Sequence, residues 1–337
     1  MKCVVTGATG HIGNVLVRKL VEKGYEVTAF VRNTEKAEYL KNLDIKFAYG
    51  DVRNIESLER AFNGAEIVFH LAGIIDIGNG NKKTMYEVNV EGSKNVVKAC
   101  KKMNVRRLVY TSSVHAIKEK KKGEIITETK EFSKDWVKGT YAKTKAEATQ
   151  YMLSQIGDKL EIIVTQPSGV IGPYEYIISN LGQLIIDCAN KKIGAYIEGG
   201  YNFVDVRDVV DGLIKAGEKG RNGECYILSG QFVSIKQLMQ YVQDITGVEA
   251  PKFKIARWFA YATGFLSELY YKIAKEKPLF TSYAVYTTGT NSNFSNEKAI
   301  KELGYKVTDI KDTIRDTVYW FESQGKIKLN KNNKRKE

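Results

Sequence analysis

Three residues of this chain have the types and spacing of a proton-transfer site: Ser113, Tyr141 and Lys145. Tyr141 and Lys145 stand four apart in Tyr-Ala-Lys-Thr-Lys, so a helix there presents both on one face. A free tyrosine, with a pKa of about 10, is a poor acid or base at neutral pH. An ammonium beside it stabilises the phenolate and moves the phenol towards the working range. Ser113 ends the run Leu108-Val-Tyr-Thr-Ser-Ser113 and can donate a hydrogen bond to the carbonyl oxygen that Tyr141 would protonate. Each part has an ordinary counterpart, a solvated helix face for the pair and a helix cap for the serine. Their combination with the N-terminal glycines favours chemistry.

A cofactor has to be brought to such a set, and the chain opens on a device for it. Thr6-Gly7-Ala8-Thr9-Gly10-His11-Ile12-Gly13 follows the apolar run Cys3 to Val5 and precedes the helix-like run from Asn14 to Leu20. Strand, glycine turn and helix aim backbone N–H groups at a diphosphate. Gly7 allows the tight turn, Gly10 close approach of the pyrophosphate, and Gly13 close packing of helix on strand. Apolar runs at Val27–Val31, Ile45–Ala48, Ile67–Leu71, Leu108–Tyr110 and Ile162–Thr165 alternate with polar helical segments. Buried parallel strands with crossover helices look like this. The expected fold is α/β, a Rossmann-type doubly wound parallel sheet with helices on both faces, plus a smaller, mostly helical C-terminal substrate lobe. Residues 1–172 form the dinucleotide-binding domain, with 201–228 returning to it. Residues 173–200 and 229–325 form the lobe, and 326–337 a basic, flexible tail. Helices are expected at Val88–Met103, Ile178–Ala189, Ser234–Ile245, Trp258–Ala274 and Glu297–Leu303.

Composition narrows the class. The 337 residues, 43% hydrophobic and 27% charged, describe a globular protein able to bury a sizeable core. The net charge of +13 looks like a nucleic-acid signal until it is located. Six basic residues against one acidic lie in Lys326–Glu337, and Lys118-Glu-Lys-Lys-Lys122 forms another block. Neither run interleaves aromatics for base stacking, so no nucleic-acid partner is expected. Four scattered cysteines argue against a disulfide framework, and no His, Asp or Glu spacing suggests a metal. The chain starts directly on a strand, leaving no room for a signal peptide, and a cytoplasmic protein is the expectation.

With these motifs the chain resembles the extended short-chain dehydrogenase/reductase family, and most nearly its dihydroflavonol-reductase and 3β-hydroxysteroid-dehydrogenase branch. The resemblance covers nearly the whole chain and is strongest from Met1 to about Pro173. It rests on Thr-Gly-x-x-Gly-x-x-Gly, Gly50-Asp-Val-Arg53, His70-Leu-Ala-Gly73, Asn89-Val-Glu-Gly92, Tyr141-x-x-x-Lys145 and Pro167-Ser-Gly-Val-Ile-Gly-Pro173. It implies that Tyr141 is the proton donor, that Lys145 binds the nicotinamide ribose and tunes Tyr141, and that Ser113 orients the carbonyl. It implies that Gly7, Thr9, Gly10, His11, Ile12, Asp51, Val52, Leu71, Ala72, Tyr141, Lys145, Pro167 and Val170 line the cofactor. It also implies that a homodimer would pair through the helices bearing Asn89 and Tyr141.

Val31 and Arg32 occupy the end of the second strand, where NAD-preferring members carry an acid. Nothing there repels a 2′-phosphate and Arg32 can fork onto it, with Lys36 in support, so NADP(H) is favoured over NAD(H). His70 reads as packed, His11 as acting through its backbone, and His115 as either a substrate contact or a loop histidine without a role. Val114-His115 stands where sugar-nucleotide dehydratases carry an Asp-Glu pair, which disfavours dehydration. Lys118 stands where plant dihydroflavonol reductases carry an asparagine, which disfavours a flavonoid. The expected activity is NADP(H)-dependent reduction of a ketone or aldehyde, or oxidation of the alcohol, in a partly apolar small molecule. The pocket is expected from Ile74–Thr84, Val114–Ile117, Tyr174–Ile178 and Tyr201–Phe203. The alternatives are an NDP-sugar epimerase with tightly bound NAD and a non-catalytic NADP-binding regulator. Trp258 to Ile273 forms an amphipathic aromatic stretch that either packs in the lobe or makes a weak peripheral membrane contact.

Overall fold

A computed structural model describes residues 1–33, 35–75, 81–157, 159–256, 258–260 and 282–329. The chain winds as β1 (Lys2–Thr6), α1 (His11–Glu22), β2 (Glu26–Val31), β3 (Lys46–Tyr49), α2 (Ile55–Phe62) and β4 (Ile67–His70). There follow α3 (Lys82–Tyr86), α4 (Gly92–Lys102), β5 (Arg107–Thr111), α5 (Thr140–Ser154), β6 (Glu161–Pro167) and β7 (Gly169–Ile171). Then come α6 (Asn180–Ala189), β8 (Ala195–Ile197), β9 (Gly200–Asp205), α7 (Val206–Lys219), β10 (Cys225–Leu228), β11 (Gln231–Ser234), α8 (Ile235–Thr246) and β12 (Phe253–Ile255).

Seven strands form one sheet in the order β10-β6-β5-β4-β1-β2-β3, and every pairing in it is parallel. Parallel strands of this kind must be covered on both faces, which is why they read as continuous apolar runs. On one face Leu58, Phe62, Val96, Val97, Ala142 and Ala146 of α2, α4 and α5 are buried with Val68, Leu108 and Ile162. On the other, Val15, Leu16 and Leu20 of α1 are buried with Val209, Val210 and Leu213 of α7 and with Val5 and Ile163. The strand order reverses between β1 and β4, and the crevice outside the carboxyl ends of such strands is where a doubly wound sheet binds its ligand.

β10 completes the large sheet beside β6, whereas β9 pairs with β7 and β11 in a separate three-stranded sheet. A further parallel pair joins β8 to β12. The region after Pro167 therefore holds two small sheets besides its helices, and strands of three to six residues are too short to leave a periodic signal. Its core gathers Ile185 and Ile186 of α6, Leu238 and Val242 of α8, and Ile314, Val318 and Phe321 of the helix Ile310–Ser323.

One helix boundary differs from expectation. Helical structure before α4 begins at Lys82, not near Asn89, because Asn81 caps it through its side chain, accepting from Thr84 N–H at 3.0 Å. Glu87–Glu91 then form a π-helical turn leading into α4. The expected helix Trp258–Ala274 lies outside the described residues beyond Ala260, as does the tail from residue 330, and of Lys36 only the backbone is described. Among the described residues no helix is long and apolar enough to cross a membrane.

Candidate active site at the carboxyl edge of the sheet

The glycine turn leaves β1 at Thr6 and enters α1 at His11. Gly7 has φ 72°, the left-handed conformation that favours glycine. A Cβ on Gly7 would sit 2.7 Å from Ala72 N and from Leu71 C, so β4's exit loop presses directly on the turn. A Cβ on Gly13 would sit 2.1 Å from the Gly7 carbonyl oxygen. Gly13 thus lets the helix close onto the turn itself, rather than onto the strand as the spacing suggests. α1 is preceded by Gly10 in the capping position, with no side-chain cap and no acid in its first turn. Its neighbour α7 starts at Asp205, whose carboxylate accepts from Arg207 N–H at 2.7 Å. Both the open helix end and the glycine cradle fit a dinucleotide diphosphate.

Around this turn the structure sets the other cofactor candidates along one edge. Ala72 N–H donates to the Thr6 hydroxyl at 3.2 Å, and Thr6 bonds to His70 Nδ1 at 2.7 Å. His70 is fully buried, bonded also to Ser93 Oγ at 3.1 Å, and burial lowers its pKa to about 3. It is a packed, neutral histidine. His11 departs from expectation: its ring engages, with Nε2 bonding to the Pro173 carbonyl at 2.9 Å. Arg32 lies exposed just past β2. Asp51, beyond β3, is gripped by Arg53 through contacts of 3.0 and 2.9 Å, and that pairing holds its carboxyl below the usual carboxylate range, with a smaller contribution from Arg32. Val52 is buried against Gly92. Pro167 ends β6 and Val170 lies in β7, half-buried against the α1 side of the core.

The catalytic candidates converge from β5 and α5. Tyr141 and Lys145 are both buried, in the first turns of α5. Lys145 Nζ donates to the Thr111 carbonyl at 2.8 Å and lies 5.0 Å from the Tyr110 ring centroid. A Cβ on Gly73 would lie 3.6 Å from that Nζ, so the lysine reaches the exit of β4. Burial pulls the Lys145 pKa down to about 8. Burial likewise lifts Tyr141 to about 12, and the hydrogen bond with Ser113 works against that rise. Desolvation therefore outweighs the tuning expected from the sequence, and Ser113 is the group that opposes it. Ser113 also acts as a cap, its oxygen accepting from His115 N–H at 3.2 Å.

Asn89 locks the two halves of this site. Its Nδ2 donates to the Ile74 carbonyl and to Thr144 Oγ1, both at 3.0 Å, while its Oδ1 accepts from Ile74 N–H at 2.8 Å. The π-turn at Glu87–Glu91 carries this residue, consistent with the frequent occurrence of such turns at functional sites. On the outer side, His115 bonds to Tyr201 Oη at 3.1 Å, and its ring centroid is 6.1 Å from that of Tyr141. Burial lowers its pKa to about 4. A cavity of about 30 Å³ opens here, lined among others by Val114, His115, Ile117, Val137, Tyr201 and Phe294. Of the expected pocket segments, residues 76–80 lie outside the described residues. Tyr174 and Tyr176 turn instead towards Arg18 and Trp320. Sequence reasoning missed Tyr39, whose hydroxyl bonds the Thr9 carbonyl, and Tyr286, which joins the cavity from beyond residue 281. No spacing rule marks either.

Fold and site together define an α/β enzyme that binds a nicotinamide dinucleotide. A family model, the NAD dependent epimerase/dehydratase family, matches residues 3–229. The chain belongs to this family, the extended short-chain dehydrogenase/reductases, and is an NAD(P)-dependent oxidoreductase of that type. A Synechocystis sp. protein provisionally named dihydroflavonol 4-reductase is 31% identical over 328 residues, 96% of this chain and 95% of that protein. The mouse (Mus musculus) sterol-4-alpha-carboxylate 3-dehydrogenase, decarboxylating, is 29% identical over 344 residues, 97% of this chain and 92% of that protein. The crystal structure of gox2253 superposes with a TM-score of 0.84 at 33% identity, covering 97% of this chain and 99% of that one.

Proposed function

We propose that this enzyme is an NADP(H)-dependent carbonyl reductase, running in reverse as an alcohol dehydrogenase, on a partly apolar ketone or aldehyde. The observation that carries this reading is the burial of Tyr141 and Lys145 on one face of α5, against Ser113 and the carboxyl end of β5. Bound nicotinamide would donate or accept the hydride. The chain's own residues handle the proton. With its pKa raised by burial, Tyr141 holds its proton at neutral pH and can give it to an oxygen gaining charge. The Ser113 O–H can turn between Tyr141 Oη and a substrate oxygen while its own oxygen receives His115 N–H. Lys145, fixed by one bond to Thr111, keeps two further N–H donors on the face of α5 that also carries Tyr141.

Arg32 supports NADP(H). Asp51, the carboxylate whose charge it feels, is already neutralised by Arg53, so the Arg32 guanidinium is left for a 2′-phosphate. The name of the sterol-acting mouse relative supports an apolar skeleton around the carbonyl, as do the aliphatic residues Val114, Ile117 and Val137 beside His115. Lys118 Nζ lies 5.3 Å over the Trp136 ring, in keeping with a surface role and not with reading a flavonoid.

The test is a screen of the purified protein for NADPH oxidation across ketones, aldehydes and nucleotide sugars, with mass spectrometry of the denatured protein. NADPH consumption matched to alcohol formation supports the reading. Stoichiometric co-purified NAD and sugar-nucleotide interconversion without net NADPH use would replace it with the epimerase.

A further inference from the structure

Helix α1 carries His11, Asn14 and Arg18 three and four residues apart, hence on one face. All three reach the segment that follows β7. His11 Nε2 donates to the Pro173 carbonyl at 2.9 Å, and Asn14 Nδ2 donates to the Tyr174 carbonyl at 3.0 Å. Arg18 Nη2 reaches Tyr176 Oη at 3.5 Å and the Tyr39 carbonyl at 2.6 Å. Tyr174 has φ 67°, a left-handed conformation that an L side chain holds only when its surroundings impose it. Those surroundings are α1.

The same segment returns to the glycine turn by a second route. Tyr176 lies flat on Tyr39, with ring centroids 4.0 Å apart and planes 3° apart, and the Tyr39 hydroxyl donates to the Thr9 carbonyl. Trp320 backs the stack, 4.9 Å from Tyr174 and 5.1 Å from Tyr176 between centroids. Thr9 and His11 flank Gly10, where the open end of α1 begins. The strained segment 173–176 is therefore tied at both ends to the backbone that would hold the diphosphate.

We propose that Arg18, Tyr39 and Tyr176 are positioning residues that couple filling of the nucleotide site to ordering of the segment 173–178. The proposal rests on the dinucleotide reading of the glycine turn. A ligand that fixes residues 7–13 fixes Thr9 and His11 together, and through them the stack and the strained turn. Filling the nucleotide site then lowers the mobility of a segment that the ligand itself need not touch.

Hydrogen exchange of the full chain, with and without saturating NADPH, reads this directly. In the wild type NADPH slows exchange both in peptides covering 7–13 and in peptides covering 173–183. Tyr176→Leu removes the stack and Tyr39→Phe removes only the bond to Thr9. In each variant NADPH still slows 7–13, while slowing at 173–183 falls on the order of tenfold. Tyr176→Phe keeps the ring and retains the slowing, which a general loss of stability would not reproduce. The proposal is overturned if the wild type shows no slowing at 173–183, or if Tyr176→Leu leaves it intact. Absence of slowing at 7–13 in the wild type would strike the reading of the glycine turn itself, and the coupling with it.

Discussion

The wall of the cleft proposed for the dinucleotide and the wall proposed for the substrate are made of different atoms. On the first, the working groups are main-chain: the open N–H groups of α1, the positive-φ turn at Gly7, and the β4 exit loop pressed against it. On the second they are side chains, His115 and Tyr201 with aliphatic and polar neighbours around a small cavity. A main-chain surface tolerates almost no change of residue at its close approaches. A side-chain surface can be relined without moving the fold. The proposed catalytic set includes Lys145, pinned to the main chain at Thr111, and Tyr141, turned towards His115.

The sharpest way to separate the walls is to remove the proposed proton donor. Tyr141→Phe is expected to lower kcat on the best carbonyl of the screen by about 10²–10⁴-fold. Its NADPH dissociation constant, measured by fluorescence titration, should stay within about twofold, since the Tyr141 hydroxyl is not part of the main-chain cradle. Gly13→Ala strikes the cradle instead. A methyl 2.1 Å from the Gly7 oxygen forces the turn to shift, at a cost of about 1–3 kcal/mol for overpacking. Titration should show both NADPH and NADH weakened by tenfold or more. Arg32→Ala refines the same wall, raising KM for NADPH severalfold to a hundredfold and barely altering NADH, as expected for loss of about 1–3 kcal/mol of charge-assisted bonding. Equal loss for both cofactors would make Arg32 structural.

Acidity supplies a smaller test of the substrate wall. His115 titrates near 4 in the fold and near 6.5 when unfolded, so the unfolded chain binds the proton first as pH falls. Its contribution to stability is present above pH 6.5 and declines below it, by up to about 1.4 kcal/mol per pH unit. Thermal unfolding from pH 7 to pH 5 should show a falling Tm, with His70 adding to the slope for the same reason. His115→Phe should flatten that slope. An unchanged slope would mean that His115 is not held neutral.

The contrast also explains what could be read in advance. The glycine turn, the six leading strands and the i, i+4 pair on α5 were legible because each imposes a backbone or period constraint on the residue types. Tyr39 and Tyr286 were not, because an aromatic that crosses between distant segments leaves no mark on its own neighbourhood. The start of the helix at Lys82 was missed because its cap, Asn81, precedes no apolar period, and the π-turn that follows breaks the period again. Tyr174 and Tyr176 pack on Trp320, which no spacing foretells, since spacing says nothing about which lobe a loop tyrosine joins.

In the proposed reaction hydride passes between NADP(H) and an external carbonyl while Tyr141 moves the proton. Following deuterium from NADPH labelled at the nicotinamide C4 tests it most directly. One deuterium is expected on the carbinol carbon of the product per NADPH oxidised in the wild type, and none above background with Tyr141→Phe. Conversion of a nucleotide sugar with no NADPH consumed and no label in the product would contradict it.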